Sequence, residues 1–541
     1  MDAIFSNFSG ESPILQSIGR WSYTAYHKRE LIQMYIHLVA AAIFPIYIGS
    51  HASLRRPPSA AAPKKRINAH GKIVDENGDE EEEVRIEGLT PSDAVLFPIM
   101  AGITLGGLYL IIKWLEDPKL LNKILNVYFS GLGIFGVGKL AVDGLHVATT
   151  FFFPSVWSSS TETYYVEPLL SQQVTGPVNK ARVQVHRKFV DKMNPFPGWL
   201  SRIQLPAALN KKAWSLRAAL KNHWIFKGYL HGVGSIKHQV HLNDVVGLVI
   251  GIATIAVYNL NGRAWWLTNF MGFGFCYGTL QIMSPTTFWT GTLVSVGLFI
   301  YDIVMVFYTP LMVTVATTLD APIKLVFPGP KRGSMLGLGD IVLPGIVIAL
   351  ALRFDLYLHY LRKQRVETKP TIPPLALRKP QVVRETYVDA TGKWGERFWT
   401  RSAKKGTVAV ADAARFSKVY FKASLVGYVL GLLVTLVVMN VFNHAQPALL
   451  YLVPGVLTAL WGTALVRGEL RLMWEYSEDG EWGLEKKEDG EKTGEGEKQD
   501  GEASAKDILD LVPKAKKDDE HEHHVFMFSL ETPRGLGCQK G

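Results

Sequence analysis

Two aspartates stand out inside long apolar runs of this chain: Asp302 in GLFIYDIVMVF and Asp340 in MLGLGDIVLPG. An ionised carboxylate surrounded by lipid costs at least a few kcal/mol, so such a residue is retained mainly where it works or is paired. One isolated membrane aspartate reads most simply as a side chain facing water or polar protein. Two in consecutive apolar runs allow more. If their carboxyls meet, both cannot stay ionised, and a single proton is shared. The protonated member can then donate to a peptide carbonyl while the ionised member takes a proton from water. The same pair could instead carry protons or cations through a polytopic transporter by alternating access.

Neighbouring residues fit the first chemistry. Tyr301 precedes Asp302 by one position, so on a helix their side chains diverge by about 100° and Tyr301 is suited to shaping a cavity. Gly337 and Gly339, on either side of Leu338, remove side chains just ahead of Asp340. That permits close approach of another backbone and a break from helical geometry. A peptide bond within an intact helix is shielded, so an extended segment held by backbone pairing beside these glycines would expose it. Pro447 opens a later apolar run, where its missing N–H costs least. Gln446 offers a polar contact there, and the small Ala448 next to Leu449 allows close packing.

The elements that must carry these residues are membrane helices. Of the 541 residues, 48% are hydrophobic and collect in blocks of the roughly 20 residues that cross a bilayer. Nine blocks are expected to span: 31–49, 94–114, 124–145, 244–260, 266–282, 290–313, 336–357, 421–442 and 447–466. The third and fifth are rich in glycine and the fourth is short. The last two are separated by four residues and should be antiparallel neighbours. The expected fold is therefore an all-α polytopic membrane protein with the aspartate pair on helices six and seven.

Two cysteines exclude a disulfide scaffold and a cysteine-rich metal site. The formal charge is +10, yet residues 475–541 hold 19 acidic and 10 basic residues, leaving +19 for the rest. These basic residues lie between apolar blocks, the pattern of membrane flanks and not of a nucleic-acid surface. Placing the N-terminus outside the cytosol puts 33 Lys and Arg in cytosolic loops against 6 in external ones. The clusters nearest the membrane, Arg55 and Arg56, Arg362, Lys363 and Arg365, and Lys418 and Lys422, agree. Residues 1–30 then form a lumenal segment with a glycosylation sequon at Asn7. Residues 31–242 carry the N-terminal helices and long polar connections, 243–474 the catalytic membrane region, and 475–541 an acidic, unstructured cytosolic tail. Truncation after Trp474 is expected to leave the chemistry intact.

Taken together, Tyr301-Asp302, Gly337-Leu338-Gly339-Asp340 and Pro447-Ala448-Leu449 occur in the order found in GxGD-type, presenilin-like intramembrane aspartic proteases. With MVTVATTLDAPIKLVFP over 312–328 and HAQPALLYLVP over 444–454, the chain resembles the signal peptide peptidase family in particular. The resemblance implies an endopeptidase with Asp302 and Asp340 catalytic. Tyr301, Gly337, Leu338, Gly339, Gln446, Pro447, Ala448 and Leu449 would position the substrate. It implies substrates such as signal peptide remnants and type II or tail-anchored membrane proteins, an endoplasmic reticulum membrane location, and quality-control partners there. Such hydrolysis uses water, with no metal or nucleotide cofactor. A catalytically idle member that escorts membrane proteins remains the other alternative beside transport.

Other motifs carry less. Gly131-Leu132-Gly133-Ile134-Phe135-Gly136 matches a dinucleotide fingerprint but lies within a membrane block, where glycine-mediated helix packing is expected. His521-Glu522-His523-His524 lacks the histidine at 525 that a zinc-protease HExxH would need.

Overall fold

A computed structural model describes residues 29–62, 66–67, 73–74, 88–115, 119–159, 162–168, 171–175, 188–190, 193–230, 234–319, 323–328, 334–367, 381–402, 409–442, 446–478 and 526–531. The sequon at Asn7 lies outside the described residues. The chain forms two units. The first comprises residues 1–141, 248–391 and 415–478, and the second residues 142–247, 392–414 and 479–541.

Nine long helices run through the described chain: α1 (Arg29–Ala52), α2 (Pro91–Leu115), α3 (Lys119–Phe152), α4 (Leu242–Leu260), α5 (Trp265–Ile282), α6 (Phe288–Ile303), α7 (Gly339–Leu361), α8 (Val419–Phe442) and α9 (Leu449–Arg467). Eight of them are long and apolar enough to cross a membrane, with α6 extended to Tyr308. The expected fifth span is the exception. It folds as α5, an 18-residue helix carrying Thr268, Asn269, Thr279 and Gln281. Half of it is buried against protein, where Asn269 finds a partner in the Val326 backbone that lipid would not supply.

In the first unit α7 is central. Its sequence is apolar on every side, the pattern of a helix buried all round, and nearly every residue from Ile341 to Tyr360 is buried. Helices α1, α5, α6, α8 and α9 pack on it. By contrast α2 leaves Leu96, Ile99, Ile103 and Leu110 exposed, as a lipid-facing helix would. Contacts among the other helices run through small residues. A Cβ on Gly136 of α3 would lie 3.1 Å from the Gly274 backbone of α5, and one on Gly427 of α8 2.3 Å from the Gly455 carbonyl of α9. Within the supposed dinucleotide fingerprint, Gly133 and Gly136 thus serve helix packing, and α8 and α9 are neighbours as expected.

Two boundaries differ from expectation. The sixth block does not continue as one helix: α6 loosens into a π-helical turn over Val304–Tyr308, breaks at Thr309 and Pro310, and resumes as Leu311–Thr318. The seventh begins later than expected. Residues before α7 form a hairpin of β1 (Lys324–Phe327) and β2 (Ser334–Gly337), antiparallel, pairing Leu336 with Leu325 and Gly337 with Lys324.

The tail boundary also moves. Tyr476 is buried, and the Glu478 carboxylate is buried against the guanidinium of Arg353 on α7 and that of Arg55. Ser284 and Ser53 complete the network, donating to Glu478 at 2.7 Å and accepting from Arg353 at 2.9 Å respectively. Burial alone would raise the Glu478 carboxyl; the two arginines and Ser284 hold it below the ordinary range.

The second unit contains a four-stranded antiparallel sheet ordered Val156–Ser158, Thr163–Glu167, Gln172–Thr175 and Lys188–Val190. Gln173, on its third strand, is buried, accepting from the Trp157 indole at 3.1 Å and donating to the Asn194 carbonyl at 2.8 Å. A second sheet places His223–Leu230 between Gly234–His241 and Phe526–Glu531. That last strand belongs to the stretch read from sequence as unstructured tail. The alternation FMFSLE is too short to stand out within charged surroundings, and it gains its hydrogen bonds from a strand 300 residues earlier.

Candidate active site

Asp302 is the next-to-last residue of α6, just ahead of the π-helical turn, and is 3% exposed. Its Oδ2 accepts a hydrogen bond from the backbone N–H of Leu449 at 3.1 Å. Leu449 is the first residue of α9, whose N-cap, Ala448, has no capping side chain. A helix start leaves N–H groups without intrahelical partners and a partial positive charge, so a carboxylate is well accommodated there. Pro447 has no N–H to contribute, and Ala448 leaves space for the approach. The tripeptide therefore delivers one backbone donor to one aspartate.

Asp340 occupies the first turn of α7 and is half-buried. The Gly337 N–H donates to its carboxylate, and Asp302 lies within electrostatic reach of it. Behind it, the hydroxyl of the fully buried Tyr428 on α8 donates to the Asp340 carbonyl at 3.3 Å.

The two glycines differ. A Cβ on Gly337 would stand 3.3 Å from Asp340 Oδ2, whereas one on Gly339 would meet only Leu343, at 4.0 Å. Neither has a positive φ, so neither is needed for backbone conformation. Gly337 leaves room for the carboxylate, and Gly339 is exposed. Leu338 turns its side chain onto α5, where a Cβ on Gly272 would lie 3.1 Å from it. Tyr301 packs in the cluster formed by Ala94, Val294, Leu298, Leu449 and Val453. Gln446 is half-buried and has no hydrogen bond among the described residues.

The hairpin in front of Asp340 has one closed edge. Asn269 of α5 accepts from the Val326 N–H at 2.7 Å and donates to the Val326 carbonyl at 2.9 Å, covering the outer side of β1. The Leu338 N–H donates to the Ile323 carbonyl at 3.1 Å, so Leu336 and Leu338 point their backbone groups inward. By the alternation of an antiparallel ladder, Met335 and Gly337 point theirs outward from β2. Met335 is 58% exposed.

Sequence reasoning passed over several residues. Asn269 and Tyr428 sit among apolar neighbours, and a polar side chain within a span was the available signal. Arg353 and Asp355 also lie within α7. Asp355 is buried, but its carboxylate accepts from the N–H groups of Tyr420 and Phe421 at 3.3 and 3.0 Å, capping α8. Fifteen residues of helix separate it from Asp340, about 22 Å. It is a structural cap and no third member of the pair.

A family model described as signal peptide peptidase matches residues 80–480. The chain is 28% identical over 456 residues to the signal peptide peptidase of Homo sapiens, covering 82% of this chain and 83% of that protein. It is 29% identical over 403 residues to the signal peptide peptidase of Mus musculus, covering 72% and 74%. To intramembrane protease 2 of Caenorhabditis elegans it is 35% identical over 244 residues, 43% of each chain.

Proposed function

This chain belongs to the signal peptide peptidase family and is a multi-pass intramembrane aspartic protease, and from that premise we propose that Asp302 and Asp340 are its catalytic pair. The observation that carries the proposal is their unequal environment. Asp302 is closed in by α9 and held by the Leu449 N–H, while Asp340 stands half-buried beside an open strand edge.

One carboxyl holds the shared proton and gives it to the carbonyl oxygen of the scissile peptide. The other takes a proton from water as the water oxygen bonds to the carbonyl carbon. The C–N bond then breaks, the amine leaves with the proton gained from water, and the first carboxyl recovers its own. The substrate segment unwinds and adds to β2, bonding the outward N–H and carbonyl of Met335 and the carbonyl of Gly337, whose N–H stays on Asp340. Tyr301, Leu338, Gly339, Gln446, Pro447 and Ala448 shape the surroundings of that segment.

Substrates are transmembrane segments such as signal peptide remnants and those of type II or tail-anchored proteins. The membrane is that of the endoplasmic reticulum, with the N-terminus lumenal, Asn7 open to glycosylation, and the C-terminus cytosolic beside quality-control partners. The test is incubation of purified protein with a labelled membrane-helix peptide and mass analysis of the products. A hydroxyl-bearing transition-state mimic should compete with that peptide. Absence of cleavage under conditions where a relative cleaves would defeat the assignment.

A further inference from the structure

We propose that His146, His241 and Asp244 form a binding site for a divalent transition metal of the zinc class, where the end of α3 meets the start of α4 in the second unit. The three are half-buried, and one ligand atom from each lies within 4.8 Å of the others. His146 Nε2 stands 3.3 Å from Asp244 Oδ1, and His241 Nδ1 stands 3.5 Å from Asp244 Oδ2. Around a tetrahedral zinc with bonds of about 2.0 to 2.1 Å, neighbouring donor atoms are about 3.3 Å apart. The His146 separation has that value and the His241 separation is close to it, each to its own oxygen of Asp244, so the carboxylate would hold the metal through both oxygens or turn to present one, with the three ligand atoms drawing in from within 4.8 Å.

The surrounding groups are those of a metal site. Asn243 is buried, and its side-chain NH2 donates to His146 Nδ1 at 3.2 Å and to the Thr149 hydroxyl oxygen at 3.2 Å. With metal on Nε2, the Nδ1 proton needs an acceptor, and the Asn243 oxygen, turned to the same place, supplies it; metal-bound histidines regularly have such a partner. Asp244 is oriented in turn by the His241 backbone N–H at 2.7 Å. The rings of His146 and His241 meet at 90° with centroids 5.0 Å apart.

Two imidazoles and one carboxylate favour zinc and its neighbours over magnesium or calcium, and a water completes the fourth position. The site would join residues 98 apart in sequence and clip the ends of two spans together. Proton transfer by the aspartate pair does not involve it. A helix cap built only of hydrogen bonds would need neither second imidazole so close to the carboxylate.

The test uses full-length protein in detergent, purified without a histidine tag. His521, His523 and His524 are replaced by alanine in every arm, because their run would capture the same metals. Equilibrium dialysis against micromolar zinc with excess magnesium should leave on the order of one zinc per chain. His146→Gln or His241→Gln should lower zinc affinity at least about tenfold and abolish the rise in Tm that zinc produces in the parent. Cobalt should give the parent the visible bands of a tetrahedral site, lost on adding zinc, a reading that needs no folded variant. No zinc above the detergent blank, a featureless cobalt spectrum, or undiminished zinc in both glutamine variants would overturn the proposal.

Discussion

Asp302 and Leu449, 147 residues apart, are joined by a hydrogen bond of 3.1 Å from the backbone N–H to the carboxylate. The donor is a backbone atom at the first position of α9, so side-chain truncation alone cannot remove it. Proline is tolerated at a helix start and deletes the N–H. Leu449→Pro should lower peptide hydrolysis by about ten- to a hundredfold relative to Leu449→Ala, the worth of a hydrogen bond to a charged group. Equal turnover by the two variants would show that the donor is idle.

Asp302→Asn and Asp340→Asn should each lower cleavage by at least about a thousandfold, with the double variant no worse than either single one, because the pair acts as a unit. Membrane insertion and abundance should change little, since replacing a buried charge by a neutral isostere need not destabilise the fold. Product formation by equal amounts of inserted protein decides it. Near-normal activity in either single variant would rule out a shared proton.

Gly337→Ala and Gly339→Ala should separate two effects. A methyl at 337 presses on the Asp340 carboxylate at 3.3 Å, so kcat should fall about tenfold or more while Tm holds. A methyl at 339 meets little protein and projects into open space, so its cost should appear in KM. Steady-state kinetics on a single peptide would distinguish them, and the reverse pattern would reassign both glycines.

Truncation after Trp474 should damage the protein, whereas truncation after Glu478 should spare the aspartate chemistry. The first leaves Arg353 buried without its carboxylate, a loss of about 3–5 kcal/mol; Glu478→Gln should cost a similar amount. Because the folded Glu478 carboxyl is held below its ordinary value of about 4.3, its stabilisation is complete above that pH and is lost as acid carries the solution through the lower folded value. Thermal unfolding of the two truncations across pH 3 to 7 should show a difference that shrinks toward acid. Identical Tm values at pH 7 would contradict the ion pair's importance.

Much of the membrane core was legible in the chain itself. Blocks of some 20 apolar residues announce helices because a bilayer leaves no other way to satisfy the backbone. Charged residues inside such blocks announce chemistry for the same reason, and the order of Tyr301-Asp302, Gly337-Leu338-Gly339-Asp340 and Pro447-Ala448-Leu449 pointed to the family. What the chain did not reveal is pairing between distant segments. The short apolar run of β2 merges into α7 on any hydropathy reading, since a four-residue strand and the start of a buried helix look alike until Leu325 and Leu336 are seen side by side.

Three further arrangements depended on tertiary contact alone. Glu478 is one acid among many in a charged tail until Arg353 and Arg55 surround it, and the role of Asp355 is hidden until the N–H groups of α8 meet its carboxylate. His146 follows one expected span and His241 precedes the next, and only folding brings their rings edge to face with centroids 5.0 Å apart. Periodicity and hydropathy are local properties carried by neighbouring residues, and the bilayer acts on them directly. The partner of a buried charge or a ligand atom is chosen by the packing of helices that meet only after the chain has folded.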